Sequence, residues 1–180
     1  MKNQKILYSI LILFSILAII GLFLPYASST KEWRTHLEKF PDEINTEEAN
    51  LINKDVVDIS LFEYFKIYIA GTENFDSNNY LFQESLINLI LIGLLSISSI
   101  LILILAIFRR NIGIIIFSIL LLISSLLLNY DITDRGALPT SKYDLGISFY
   151  LHTILAALCF VYTIVLIVIK RKFNKENTIK

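Results

Sequence analysis

A single cysteine, two histidines, three prolines and six glycines in 180 residues leave little material for several kinds of chemistry. One cysteine, Cys159, cannot close a disulfide within a chain, so no staple supports a domain exposed to an oxidising compartment. Zinc hydrolysis needs several His, Cys or carboxylate ligands held together. His36 lies in polar sequence and His152 in apolar sequence, and no His-Glu-x-x-His occurs. The Gly-x-Ser-x-Gly elbow and the Gly-rich phosphate loop are missing too. The acidic pairs Asp42-Glu43 and Glu47-Glu48 sit in solvated sequence and read as surface charge. The chain therefore reads as non-enzymatic, with no catalytic residue, no cofactor and no metal.

Charge is absent from four long stretches. Ile6–Tyr26, Leu86–Phe108, Ile112–Tyr130 and Gly146–Ile169 contain no Asp, Glu, Lys or Arg. Each reaches the ~20 apolar residues that a helix needs to cross a bilayer core. A charge at a helix centre costs about 2.5–3.5 kcal/mol on insertion, so its absence fits spanning. Hydrophobic residues make up 55% of the chain and the mean hydropathy is +0.65, above the ~45–50% of soluble domains. Four such runs buried in a soluble protein would leave almost no polar surface. The expected fold is all-α, a four-helix transmembrane bundle with a small helical domain between the first two spans. Residues 1–180 form one integral membrane domain, with outer loops at 27–85 and 131–145 and inner segments at 1–5, 109–111 and 170–180. The first run exceeds the ~7–15 apolar residues of a signal peptide, so it is expected to stay as an uncleaved helix.

A net charge of zero hides a strong asymmetry. The short ends and the tight link carry nine of the 16 Lys and Arg residues but one of the 16 Asp and Glu, namely Glu176. Basic residues near span ends hold their side in the cytoplasm, which places both termini and Arg109-Arg110 inside. Lys170-Arg171-Lys172 abuts the last span and reads as a stop-transfer anchor attracted to anionic headgroups. No nucleic-acid role is expected. The lack of disulfides and of any Asn-x-Ser/Thr acceptor fits the plasma membrane of a bacterium.

Gly21 and Pro25 are expected to close the first helix. Ser29 and Glu32 have capping-box spacing before a short helix carrying Trp33, Leu37 and Phe40 on one face and stopped by Pro41. Asp42–Asn53 reads as a solvated helix or loop. A second capping box, Ser60 with Glu63, opens a helix expected to end at Gly71. Its aromatic residues Phe62, Phe65 and Tyr68, with Trp33, form a candidate interaction surface for a protein partner or a cap on the bundle. Arg109-Arg110-Asn111 is so short a link that the second and third spans form an antiparallel hairpin. The outer loop Asp131–Leu145 holds Gly136, Pro139 and three Asp residues.

Helices in lipid associate through small and polar residues. Such stripes run through Ser15, Ala18 and Pro25, through Asn88, Ser96 and Ser99, and through Ser118 and Ser125. On the fourth span Ser148, His152, Ala156, Cys159 and Thr163 share one face, which should point inward. Asn88 and His152 form a candidate intramembrane polar site, with His152 expected to be a neutral packing histidine.

Gly21-Leu22-Phe23-Leu24-Pro25-Tyr26 and Leu145-Gly146-Ile147-Ser148-Phe149-Tyr150-Leu151 resemble segments of small bacterial four-helix membrane proteins. The layout of a large first outer loop and a shorter second one resembles the claudin-type plan in topology alone. The claudin Gly-Leu-Trp and Cys-pair signature is absent. The resemblance implies a location and a fold, and no activity. The expected function is thus a membrane protein whose outer domain binds another protein, as an accessory, immunity or envelope component, in contact with the lipid bilayer. An oligomeric transport component, and an enzyme acting on lipid or envelope substrates, are the alternatives. Glycines near span ends and the absence of buried charges argue against a single-chain carrier.

Overall fold

The computed structural model describes residues 2–47, 49–134 and 141–178, with side chains for 5–47, 49–133 and 141–171. Gly136 and Pro139 of the expected second outer loop lie outside the described residues, as does Glu48. The described residues are mostly helical, with six α-helices. Three of them are long and apolar enough to cross a membrane by length and composition, over Tyr80–Ile107, Asn111–Thr133 and Ile147–Arg171. These belong to α4 (Tyr80–Ile107), α5 (Asn111–Asp134) and α6 (Ile147–Thr178). The helix α1 (Lys2–Gly21) has a shorter apolar stretch, Lys5–Gly21. The long helices pack in a cycle, α1 on α4, α4 on α5, α5 on α6 and α6 on α1.

The expected first span, Ile6–Tyr26, is too long by five residues at its end. After Gly21 the chain makes tight turns, Leu22 N–H to Ile19 and Leu24 N–H to Gly21, and enters β1 (Pro25–Ser29). Pro25 lacks an N–H and stands at the first position of a strand, where that loss is tolerated. Strand β1 is the centre of a three-stranded antiparallel sheet with β4 (Asp58–Ser60) and β5 (Tyr143–Leu145). A second small sheet is the hairpin of β2 (Ile44–Thr46) and β3 (Leu51–Ile52). Asn50, at φ 50°, supplies the left-handed residue of its turn. The domain between the first two long helices is therefore mixed, not all-helical as expected. It also contains α2 (Lys31–Lys39) and α3 (Leu61–Asn74).

Two capping expectations have different outcomes. Ser29 does not cap α2, because its backbone belongs to the sheet: its N–H donates to Val57 at 2.9 Å. Thr30 takes the cap position without a side-chain bond. The Ser60–Glu63 box does form, Glu63 N–H donating to the Ser60 hydroxyl and Ser60 N–H to the Glu63 carboxylate. Gly71 does not end α3, which runs three residues further to Asn74. A Cβ at Gly71 would strike the Ser85 hydroxyl, so this glycine lets α3 lie close against α4.

The inward stripes are buried except at Pro25 and Ser96, which are half-buried. Ser148, His152, Ala156, Cys159 and Thr163 all face the interior, as do Ser15, Ala18, Asn88, Ser99, Ser118 and Ser125. Several of these hydroxyls satisfy themselves on their own helix, Ser15 to Leu11, Ser99 to Leu95 and Thr163 to Cys159. The α4–α5 turn closes with Arg109 N–H on Ala106 and Arg110 N–H on Leu105, the bond pair of a Schellman cap. Arg109, at φ 56°, occupies the left-handed position that such caps reserve for glycine, at a cost of about 1 kcal/mol.

Candidate functional site

The sheet end of the long helices holds a buried polar layer. Helix α1 ends with carbonyls that have no partner on their own helix, and its neighbours supply donors. The Leu22 carbonyl accepts from Phe62 N–H at 3.2 Å, tying α3 to α1. Because Leu22 N–H turns to Ile19, the Ala18 carbonyl is freed, and His152 Nε2 reaches it at 3.0 Å from α6. Ser148 donates to the Gly21 carbonyl at 2.6 Å and lies 3.1 Å from His152 Nδ1. A Cβ at Gly21 would sit 2.9 Å from His152 Cε1, so glycine here makes room for the imidazole. His152 is thus a cap on α1 delivered by another helix. Replacing it by alanine is expected to lower unfolding stability by about 2 kcal/mol, one cross-helix bond plus a cavity. Detergent denaturation of wild type and His152→Ala measures this, and equal midpoints would refute the capping role.

A second polar set lies between α4 and α5. Asn88 is fully buried and its amide N–H donates to the Asp131 carboxyl. Asp131 is not in a loop, as expected from sequence: α5 continues through it, and it is 3% exposed. Nearby, Ser125 and Asn129 of α5 bond Thr153 of α6 at 2.8 and 3.1 Å, and the Tyr26 hydroxyl of β1 reaches Asn129. No hydrogen bond joins Asn88 to His152 among the described residues, so the two expected members of one polar site serve separate contacts.

Above this layer, α3, the start of α4 and strand β4 enclose a cleft of about 400 Å³. Tyr64, Tyr68 and Tyr143 line it, with Glu84 and Ser85. The Tyr64 and Tyr68 rings stack at 5.9 Å. Tyr143 donates to the Val56 carbonyl at 2.8 Å and accepts from Trp33 Nε1 at 3.3 Å. The Tyr68 hydroxyl is buried and has no hydrogen-bond partner among the described residues. A buried hydroxyl left unpaired is costly; this one is sealed from solvent, as are the unpaired Ser29 and Ser118 hydroxyls, and an incoming group reaches it only if the cleft wall yields.

Burial, with Tyr64, Asp131 and Glu84 adding to it, pushes the Tyr68 phenol well above its ordinary value. Burial likewise raises Tyr64, with Tyr143 contributing, and raises Tyr143 against the opposing bond from Trp33. These rings therefore remain neutral donors throughout the physiological range. The folded chain holds their protons at pH values where the unfolded chain, ionising near pH ~10, releases them. Stability is therefore full below about pH 10 and falls as pH rises above it. Denaturation midpoints followed from neutral to strongly alkaline pH should show that decline, and a flat profile would contradict it.

The four aromatic residues singled out from sequence do not share one face. Tyr68 is in the cleft wall. Trp33 stacks on His36 at 5.0 Å, carries Lys142 Nζ at 4.1 Å above its ring, and ties α2 to β5. Phe62 and Phe65, with Phe23, border an apolar recess of about 290 Å³ against Gly93 and Ser96 of α4. Phe23 and Phe62 are well exposed, 5.6 Å apart, with Lys66 over the Phe62 ring. Sequence reasoning missed Glu84 and Asp131, which it treated as loop acids. Asp131 sits three residues after Leu128 and one before Ile132, both fully buried, so the helical spacing carried the signal. No family model matches the chain, and no curated protein or solved structure matches it.

Proposed function

We propose that this chain is an integral membrane protein with four spanning helices and cytoplasmic termini, and that it acts by binding a protein partner through the sheet-end cleft, without catalysis. Exposed apolar side chains support the spans. Ile97 and Ile104 on α4, Ile116 and Ile123 on α5, and Ile154 and Val161 on α6 are exposed. Helix α1 continues that belt with Ile6, Leu13, Ile16 and Ile20. Its apolar stretch falls at the lower end of the ~17–25 residues that cross a bilayer. Basic residues gather where α4 turns into α5 and at both termini, which supports that end as cytoplasmic. Phe23 and Phe62, at the opposite end, suit the aromatic belt of a membrane interface.

The observation that carries the binding reading is the Tyr68 hydroxyl, unpaired in the wall of the tyrosine-lined cleft. The groups best suited to catalysis are turned elsewhere. Cys159 is buried in the packed face of α6, and both His152 nitrogens face backbone carbonyls. A partner segment entering the cleft would pack beside the tyrosines and, where it displaces the wall that seals the Tyr68 hydroxyl, pair with that group. Cross-linking in native membranes through a photoreactive residue at Ile67, which lines the cleft, tests this. A single stoichiometric protein partner is the expected result. Recovery of the chain cross-linked only to itself would transfer the weight to an oligomeric transport component.

A further inference from the structure

The opposite end of the molecule holds an open cavity of about 680 Å³, between the α4–α5 turn and the Ile167–Arg171 stretch of α6. Arg109, Arg110, Lys170 and Arg171 are among its lining residues. No carboxylate lines it, and none of the ion pairs among the described residues involves these four. Orientation in a membrane requires basic residues near span ends, but it does not require them to surround one space. The first turn of α5 forms part of the lining, through Asn111, Ile112 and Gly113. Backbone N–H groups at the start of a helix have no acceptor on it and add positive potential. The remaining walls are apolar: Leu105, Ile112 and Ile167. Arg109, placed at a glycine position of the turn, has its guanidinium 5.8 Å from the Tyr8 ring centre.

Clustered positive charge beside apolar walls matches one chemistry, a phosphate diester attached to acyl chains. We infer that this cavity binds the headgroup of an anionic phospholipid, with the acyl chains against Leu105, Ile112 and Ile167. The site lies apart from the sheet-end cleft and depends on the proposed function only in that the helices stand in a bilayer.

The test uses the full chain reconstituted in nanodiscs of mixed phosphatidylglycerol and phosphatidylcholine, then released for native mass spectrometry. Retention of phosphatidylglycerol over phosphatidylcholine is expected. Arg110→Gln and Arg171→Gln should each reduce that retention about fivefold, and the pair about 30-fold, the effect of one and two basic side chains near an anionic surface. All these side chains are exposed, so thermal midpoints should not change. Lys5→Gln removes a charge from the same end but does not line the cavity, and should leave retention unaltered. Equal losses in all three single variants, or equal retention of both lipids, would overturn the inference. Displacement of the lipid by inorganic phosphate alone would overturn it in favour of a free-phosphate site. Failure of the chain to enter nanodiscs at all would instead count against the membrane reading.

Discussion

Replacing Gly146 by alanine will lower the stability of the folded chain by about 3 kcal/mol, the upper part of the range for overpacking. The expectation rests on what a Cβ would meet. At Gly146 it would run into the Pro25 carbonyl and the backbone carbon of Tyr26, rather than the end of a movable side chain. Gly146 N–H also donates to the Tyr26 carbonyl at 2.8 Å, so the two backbones are held at the distance that the extra carbon forbids. Relief requires β5 to separate from β1, which breaks the pairing of Ala27 with Leu145 and of Ser28 with Asp144. The residues that follow carry Ser148 and His152, so the caps on α1 would move as well. Gly93, with open space around its Cβ position, is the control, and Gly93→Ala should be nearly silent. Denaturation midpoints of the two variants in one detergent give the comparison. Similar small effects would mean that the contact between β1 and the start of α6 yields easily.

Tyr68→Phe is expected to move stability and binding in opposite directions. Deleting a buried hydroxyl that has no partner removes a desolvation cost, so the isolated protein should gain about 1 kcal/mol. Partner affinity should fall about tenfold, the loss of one hydrogen bond made in a dry site. A purely structural tyrosine would show the first effect or its reverse, and no second effect. The two measurements are a denaturation curve and the yield of the Ile67 cross-link at graded partner concentration. A stability loss with unchanged cross-linking would refute the role given to Tyr68.

The long helices were legible because their signal is local and dense. The α6 stripe from Ser148 to Thr163 could be read from spacing alone, and each of its residues is buried. The sheet was not legible. Strand β1 reads Pro-Tyr-Ala-Ser-Ser, with Tyr26 and Ala27 buried side by side instead of alternating. Its partners β4 and β5 have three residues each and come from distant parts of the chain. So Ser29, whose spacing from Glu32 matches a capping box, was claimed by a strand that leaves no local trace. The α3 helix shows a different limit. Of its three aromatic residues named from the sequence, Tyr68 is buried, Phe65 half-buried and Phe62 exposed. An aromatic stripe looks the same whether it faces a partner or a cleft wall, and only the packing of α4 decides. Asp131 was passed over because an acid looks like the end of an apolar run, whereas Asn88 on the neighbouring helix offers it a donor.

Strand β1 sits between neighbours that become available at very different times. Ser28 pairs with Asp58 on one side and with Asp144 on the other. As the chain leaves the ribosome, the first edge closes soon, once α3 can dock through its Ser60 cap. The second edge stays open until α4 and α5 have been made and β5 follows them. A nascent chain therefore displays an unpaired strand edge for most of its synthesis, the kind of edge that recruits stray strands. The pairing of β5 closes the sheet, and the α6 residues that follow it bring the caps to α1. A chain cut short within α5 would lack β5 and leave that edge of β1 unpaired.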